Sequence, residues 1–361
     1  MRFGIVSPAT LAVPDYAAAA ESFGFDQCWV FDSHMVYPDV YVTMALAAQK
    51  TQRMAFGPGV AVAPSRIAPI TAASVATLNR LFPGRIMLGL GTGNTGRRTM
   101  GFPPMKFRDF SDYCRTVKGL LRDETVDYRE GDLERPIRFM HSEADVNLDG
   151  PIPMMLGAFG PKAMELTGEI ADGWITFWGG PDDIHAARGV LERGAKKAKR
   201  DLAADGFRTI LYHNVYVTRP GERVDSPEAR MAVGPSVFSA IRYQIHAGSL
   251  AVDASGKPTG VPEPLARPIQ RFLGWMKKEG IDPDEDYTRF YANYFMRLRK
   301  EHYDLLDEEV MRTIPIVGPP DECMERIRAF ANAGVTDFSI VLGGNAQELM
   351  RRFATEIIDR Y

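Results

Sequence analysis

Eight short apolar segments, each followed by a helix-like segment, constrain the fold of this chain more than any other feature. In chain order, they are Arg2–Ser7, Gln27–Asp32, Met54–Val62, Arg85–Leu90, Ile152–Leu156, Gly173–Phe177, Thr209–Thr218 and Asp337–Leu342. Strands that alternate with amphipathic helices predict an α/β fold with a parallel sheet. Because there are eight such units and the last strand lies near the C-terminus, the pattern favours a closed (β/α)8 TIM barrel over an open, doubly wound sheet.

Two long segments interrupt this alternation. Residues 123–150, after the fourth unit, are polar and irregular. Residues 220–315, after the seventh strand, contain several helix-like stretches without an intervening barrel strand. Since a barrel of this type commonly occupies about 250 residues, the sequence predicts one barrel domain over residues 1–361 with insertions after strands four and seven.

Composition excludes several classes of function. The chain has 43 basic and 46 acidic residues, a net charge of −3, which does not indicate a nucleic-acid or membrane surface. Its three cysteines, Cys28, Cys114 and Cys323, are far apart and lack metal-ligand spacing. No apolar run approaches the roughly 18 residues of a membrane span, and no signal peptide is recognisable. We therefore expect a cytoplasmic protein without a metal site.

A glycine motif follows the fourth predicted strand. Residues Gly91–Gly96 match the G-x-G-x-x-G pattern of dinucleotide-binding folds. That fingerprint normally opens the first strand–helix unit, whereas this one lies in the fourth, and Pro103 and Pro104 interrupt the helix it should begin. In a barrel the same residues lie at the catalytic end of a strand, where Thr92 and Asn94 can bind a phosphate or planar ring. A tight surface turn is the alternative interpretation.

Several segments together resemble the bacterial luciferase-like superfamily, and most closely its methylenetetrahydromethanopterin reductase branch. The resemblance extends over about residues 1–120, 150–215 and 315–358. The segments that carry it are Asp39–Ala47, Phe56–Val60, Ile86–Gly91, Pro153–Lys162 and Gly168–Trp174. It implies a flavin- or deazaflavin-dependent oxidoreductase, with the cofactor ring across the mouth of the barrel and a homodimer as the assembly.

The resemblance also implies which residues contact the cofactor. A bulge with a non-proline cis peptide in strand three would support the ring, and a phosphate would lie against a strand-four loop and the N-terminus of a helix. By this correspondence, the predicted cofactor residues are Val60, Ala61, Val62, Thr92, Gly93, Asn94, Gly157, Ala158, Gly160, Pro161 and Lys162. The cis peptide is expected within residues 60–62.

His34, after the second strand, resembles the active-site histidine of the family. A histidine suits proton transfer near neutral pH, although a structural or solvated histidine is the alternative. Ser33, Arg66 and Trp178 are the predicted substrate contacts. The aromatic and basic segment 287–299, within the second insertion, is interpreted as a lid, a subunit contact or a plain amphipathic helix.

Two departures from the deazaflavin branch bear on the reaction. That branch typically has an aspartate directly before the histidine and an acid near the end of strand one, where this chain has Ser33 and Val6–Ser7. The sequence therefore favours a two-component monooxygenase that takes reduced FMN from a separate flavin reductase and oxygenates a small organic substrate. A coenzyme F420-dependent reductase or dehydrogenase, a non-catalytic flavin-binding protein, and a barrel aldolase or isomerase are the alternatives.

Overall fold

The computed structural model describes residues 1–140, 145–177, 179–246, 250–253, 258–261, 263–292, 294 and 298–361. Trp178, one of the predicted substrate contacts, lies outside these residues. The chain divides into two compact units. The first comprises residues 1–97, 103–212 and 329–339, and the second comprises residues 98–102, 213–328 and 340–361.

The regular elements follow the predicted alternation closely. The strands are β1 Arg2–Pro8, β2 Gln27–Phe31, β3 Ala55–Pro58, β4 Ala61–Val62, β5 Leu88–Gly91, β6 Val126–Glu130, β7 Leu133–Ile137, β8 Met154–Gly157, β9 Gly173–Phe177, β10 Arg208–His213, β11 Val215–Val217, β12 Ala251–Val252, β13 Pro258–Thr259, β14 Ile316–Gly318 and β15 Asp337–Val341. The α-helices are α1 Val13–Ser22, α2 Val40–Gln49, α3 Ala68–Leu81, α4 Asn94–Arg98, α5 Phe107–Leu120, α6 Pro161–Ile170, α7 Pro181–Lys197, α8 Pro227–His246, α9 Glu263–Glu279, α10 Tyr287–Phe290, α11 Lys300–Tyr303, α12 Glu308–Thr313, α13 Pro320–Asn332 and α14 Ala346–Glu356.

A closed parallel sheet confirms the predicted barrel. Among the described residues, the sheet has the order β3-β2-β1-β15-β10-β9-β8-β5-β4. Its first and last members, β3 and β4, are consecutive halves of one predicted strand, so the nine segments occupy eight positions around a barrel. Phe56 of β3 also bridges to Ile86, just before β5, which completes the closure. Strands such as β2 are buried along their whole length, as expected when helices cover a parallel sheet.

The predicted seventh strand, Thr209–Thr218, is not one continuous strand. Its first part, β10, pairs with β9 in the barrel, whereas β11 pairs in parallel with β14. The partner changes at Asn214, whose carbonyl accepts a hydrogen bond from the backbone N–H of Ile316. Most of β10 and all of β11 are buried, and their central residues are apolar, so the sequence pattern does not reveal the change of partner. The strand β14 was not predicted.

The two interrupting segments contain regular structure of their own. Residues 123–150 include an antiparallel hairpin formed by β6 and β7. The helix-like stretches predicted within residues 220–315 include helices α8, α9 and α12. In the second unit, α8 and α9 bring Phe238 and Phe272 together with their ring centroids 5.7 Å apart, and His302 stacks on Phe238 at 4.9 Å. Whether the chain is functionally a single domain stays a prediction.

Candidate functional site

The candidate site lies in the first unit, at the carboxyl end of the barrel strands. Because the strands are parallel, the loops that follow β2, β4, β5 and β8 emerge at the same end of the sheet. The active sites of barrel enzymes are built at this end. The predicted site residues in loops 33–39, 63–66, 92–96 and 157–162 therefore belong to one end of the barrel.

The third barrel strand is interrupted by a cis peptide between Gly59 and Val60. It was predicted within residues 60–62, one bond too late. At this point the chain passes from pairing with β2, through Pro58, to pairing with β5, through Ala61. The Val60 side chain then fills the space beside β5 and β8, where a Cβ on Gly91 would lie 2.5 Å from Val60 Cγ2 and one on Gly157 3.3 Å from Cγ1.

Asp32 follows β2 directly and is the most unusual polar group at this end. Its side chain is 1% exposed. Atom Oδ2 accepts hydrogen bonds from the Val62 backbone N–H, at 3.0 Å, and from Arg66 Nη1, at 3.1 Å. Atom Oδ1 is buried and has no hydrogen-bond partner among the described residues. Burial raises the pKa of Asp32, although the N–H of Val62 and the charges of Arg66 and His34 oppose the shift.

His34 lies two residues further along the same loop and is half-buried. Its Nδ1 lies 3.0 Å from Ser65 Oγ, so that one ring nitrogen is held by a neighbouring loop. The glycine loop after β5 packs close to it, because a Cβ on Gly96 would lie 3.5 Å from His34 Cε1 and 3.0 Å from a methyl group of Val62. The remaining ring nitrogen, Nε2, is therefore the atom that can exchange a proton with a bound molecule.

Arg66 was predicted as a substrate contact, and the structure engages it with two carboxylates. Nη1 contacts Asp32 and Nη2 lies 2.5 Å from Asp39 Oδ2. The guanidinium also lies over the Tyr41 ring, 5.0 Å from its centroid. Its role towards a substrate stays a prediction, as does that of Ser33, which is buried in the same loop.

The loop after β5 is a tight turn that leads into the short helix α4. Gly93 has a φ of +81°, and a Cβ there would lie 2.6 Å from Val62 Cγ1, so glycine is required both by conformation and by space. The carbonyl of Thr92 accepts a hydrogen bond from the Met105 N–H, which brings the chain back over the loop. Thr92 and Asn94 are half-buried. Their predicted contact with a phosphate stays a prediction.

The loop after β8 leads into helix α6 with an open N-terminus. Gly160 is the N-cap residue, Pro161 occupies the first turn, and no side chain caps the helix. The first backbone N–H groups of such a helix favour an anion. Lys162 is exposed in this turn. The loop itself is anchored by Ala158, whose carbonyl accepts a hydrogen bond from Trp174 Nε1 at 2.7 Å.

Aromatic rings extend across this end of the barrel. Phe31 lies at the end of β2 and Phe177 at the end of β9, and their ring centroids are 6.3 Å apart. The two strands are not neighbours, because β1, β15 and β10 lie between them in the sheet. Phe159, which is 49% exposed, stacks against Phe177 at 6.0 Å. These rings provide an apolar surface on which a planar group can pack.

Sequence reasoning missed two residues of this arrangement. Asp32 was predicted as the last residue of strand two, and carboxylates were considered only directly before His34 and near the end of strand one. Ser65 was not considered because it lies 31 residues from its partner. The position of Asp32, a polar residue at the predicted carboxyl end of a barrel strand, was the signal that could have identified it as a site residue.

Two kinds of feature are absent from the described part of the chain. No helix among the described residues is both long and apolar enough to cross a bilayer. No group of three or more His, Cys, Asp or Glu side chains within the described ranges is arranged to hold a metal ion.

The chain is similar along its whole length to several known enzymes. It is 28% identical to the 5,10-methylenetetrahydromethanopterin reductase of Methanolobus tindarius, over 99% of this chain and 100% of that protein. It is 25% identical to the F420-dependent glucose-6-phosphate dehydrogenase of Nakamurella multipartita, over 92% and 98% of the two chains. The solved structure of the coenzyme F420-dependent tetrahydromethanopterin reductase of Methanopyrus kandleri has the same fold, with a TM-score of 0.70, 22% identity and complete coverage of both chains.

A family model describes most of the sequence. The model of the luciferase-like monooxygenases matches residues 1–337 of the 361. The resemblance drawn from the sequence is thereby confirmed. This chain belongs to the luciferase-like monooxygenase family and is an oxidoreductase of that class.

Proposed function

We propose that the protein is a coenzyme F420-dependent oxidoreductase that transfers a hydride between the deazaflavin and a small organic substrate. The observation that carries this proposal is the pair of proton-exchanging groups at the end of β2. Asp32 has a buried oxygen without a hydrogen-bond partner among the described residues, and His34 has one nitrogen held by Ser65. Hydride transfer to or from a carbon bearing oxygen or nitrogen needs a group that gives or takes a proton.

The residues at this end of the barrel fit a deazaflavin. Val60 lies beside Gly91 and Gly157, where the absence of Cβ atoms leaves room for its side chain. The open N-terminus of α6, at Gly160 and Pro161, offers backbone N–H groups to the phosphate tail. We expect the ring to lie against Val60 and the phosphate to lie against α6 and the loop of Thr92.

In the proposed reaction the deazaflavin, when bound, supplies or accepts the hydride. His34 Nε2 gives the proton that the substrate gains, or takes the proton that the substrate loses. The tautomer of the free ring depends on whether Ser65 Oγ donates a hydrogen bond to Nδ1 or accepts one from it. Ionised Asp32 stabilises a positive charge on His34, whereas Asp32 protonated at Oδ1 would instead serve as a hydrogen-bond donor. The aromatic rings of Phe159 and Phe177 exclude water from one side.

Reduced FMN was the cofactor favoured by the sequence, on the grounds that no carboxylate stands directly before His34 and no acid stands near the end of strand one. Asp32 supplies a carboxyl group at the end of strand two, so the first of these grounds is weaker than the sequence implied. The names of the relatives support the deazaflavin as well, since one is called an F420-dependent dehydrogenase. Monooxygenation with reduced FMN is therefore the alternative that the following cofactor titration distinguishes from the proposal.

A cofactor titration tests the proposal. The purified protein is titrated with F420, reduced F420, FMN and reduced FMN, and the dissociation constants are compared by fluorescence. We expect the F420 forms to bind most tightly. Tighter binding of reduced FMN would overturn the choice of cofactor and restore the monooxygenase alternative.

The role of His34 is tested by substitution. Turnover is measured by the absorbance of oxidised F420, in a substrate panel that begins with methylenetetrahydromethanopterin and glucose 6-phosphate. His34→Ala is expected to lower kcat by about 10²- to 10⁴-fold, the usual contribution of a general acid or base, while F420 still binds. His185→Ala is the matched control, because His185 is exposed on the outer helix α7. Equal turnover in the two variants would remove His34 from the mechanism.

A further inference from the structure

We propose that the dipeptide Ser65–Arg66 is a positioning element for the reaction, holding the loop of Asp32–Asp39 so that Asp32 and His34 face the bound substrate. We call this dipeptide the Ser65–Arg66 clamp. The inference rests on the proposed function for its chemistry, but its structural part stands on contacts within the first unit alone.

The clamp contacts the loop at three places. Ser65 Oγ lies 3.0 Å from His34 Nδ1, in the middle of the loop. The Arg66 guanidinium reaches both ends, with Nη1 3.1 Å from Asp32 Oδ2 and Nη2 2.5 Å from Asp39 Oδ2. Two adjacent residues from the loop after β4 thus fix the start, the middle and the end of the loop after β2.

Each end of the loop is also joined to regular structure. Asp32 Oδ2 accepts the Val62 N–H, which ties the start of the loop to β4. Asp39 is the N-cap of α2, and its Oδ1 accepts the N–H groups of Tyr41 and Val42. Asp39 therefore caps α2 through Oδ1 and pairs with Arg66 through Oδ2. Since Arg66 also contacts Asp32, its guanidinium links the N-terminus of α2 to the end of β2.

The arrangement requires arginine in particular. The two carboxylates are contacted by different nitrogens of one planar group, whose side chain is only 17% exposed and lies over the Tyr41 ring. A lysine keeps the charge, but its single ammonium group cannot present two donors in a fixed fork. Lysine is therefore the variant that separates the geometry of the clamp from its charge.

The clamp also determines the charges around the proton-exchanging groups. Asp32 is surrounded by His34 on its own loop, by Arg66, and by Tyr41 and Tyr113 from α2 and α5. Arg66 is the only member of this set that carries a fixed positive charge. Its removal leaves Asp32 buried without a compensating cation, so the pKa of Asp32 rises further.

The test uses the whole protein and four substitutions: Arg66→Lys, Asp39→Asn, Ser65→Ala and Ser65→Thr. We expect Arg66→Lys to lower kcat by about tenfold to a hundredfold, the cost of a small misplacement of reacting groups, with KM and F420 affinity nearly unchanged. Ser65→Ala is expected to change the nitrogen chemical shifts of the His34 ring, recorded by NMR at a fixed pH, because Nδ1 loses its neighbour, and Ser65→Thr is expected to restore them. Asp39→Asn keeps the helix cap, because asparagine caps a helix as well as aspartate does, and it removes only the ion pair with Arg66. This variant replaces Arg66→Lys in the test if Arg66→Lys does not fold.

Arg115→Lys is the matched control, because Arg115 makes one exposed ion pair with Glu169. The proposal is overturned if Arg66→Lys and Asp39→Asn have the same kcat as the control, or if Ser65→Ala leaves the nitrogen chemical shifts of the His34 ring unchanged. The NMR spectra are recorded without cofactor. Changed chemical shifts together with no F420 binding would therefore contradict the proposed function and leave the clamp in place.

Discussion

Two buried aspartates, one at each end of the barrel, are both paired with arginine, but their pKa values are shifted in opposite directions. Asp337 begins β15 at the amino end, and Asp32 follows β2 at the carboxyl end. Each is paired with arginine in the first unit. The pKa of Asp337 is lowered, whereas that of Asp32 is raised.

The difference lies in how completely each carboxylate is bonded. Asp337 is 0% exposed and accepts hydrogen bonds on both oxygens, from Arg2, Gln27, Arg208 and Thr336. Burial alone would raise its pKa, but the hydrogen bond and charge of Arg208, with Thr336 and Arg2, bring it below the usual range. Asp32 has partners on one oxygen only, as far as the described residues show. The fully bonded carboxylate of Asp337 stabilises the base of the barrel, whereas the partly bonded one of Asp32 is a candidate functional group.

The largest expected effect is on Asp337. Replacing Asp337 by Asn removes the charge that compensates Arg208 and Arg2, and breaking a buried pair in this way typically costs about 3–5 kcal/mol. We expect that loss in the free energy of unfolding, measured with urea at neutral pH. A variant as stable as the parent protein would mean that the two aspartates are energetically equivalent.

The acid dependence of stability sharpens the same comparison. Because the folded-state pKa of Asp337 is lowered, its contribution is present above the usual aspartate range and is lost as the pH falls through the lowered pKa. Asp337→Asn should therefore flatten the acid limb of the unfolding free energy against pH. For Asp32 the sign is reversed, since a raised pKa favours folding at low pH and this contribution is lost as the pH rises through it. An unchanged acid limb in Asp337→Asn would contradict this assignment.

An intermediate effect is expected at the mouth, for Gly91. A Cβ at this position would lie 2.5 Å from Val60 Cγ2, inside the barrel, so Gly91→Ala forces Val60 to move. Overpacking of this kind costs about 1–3 kcal/mol, and F420 affinity should fall with it. Gly189→Ala is the control, because Gly189 is exposed on α7 with open space around the methyl group that alanine adds, and it should be slightly stabilising. Equal free energies of unfolding for Gly91→Ala and Gly189→Ala would show that β5 does not confine the Val60 side chain.

The smallest effect on stability is expected for Asp32→Asn. Asparagine keeps an acceptor for the Val62 N–H, removes a charge that burial disfavours, and leaves Arg66 paired with Asp39. We expect a change below about 1 kcal/mol at neutral pH, of either sign, together with a fall in F420 turnover. A loss as large as that of Asp337→Asn would show that Asp32 is a structural residue.

The barrel itself was predictable because its signal is local. The eight apolar segments correspond to the eight barrel positions, and a helix follows each of the first four. The change of partner at Asn214 and the added strand β14 were not predictable, since hydrophobic periodicity reports burial and not which strand supplies the hydrogen bonds. The hairpin of β6 and β7 is mostly exposed, so it carries little apolar pattern.

Of the candidate site, the sequence by itself determined which loops take part, because parallel strands place all their carboxyl ends together. It also identified His34 and the glycines of the β5 loop as residues of interest. Only the tertiary structure decided that Asp32 is buried with one oxygen unbonded by any described residue, and that Arg66 and Ser65 contact Asp32 and His34 across about thirty residues of chain. Hydrogen bonds between distant loops depend on where the strands meet, and no local pattern of residues records that.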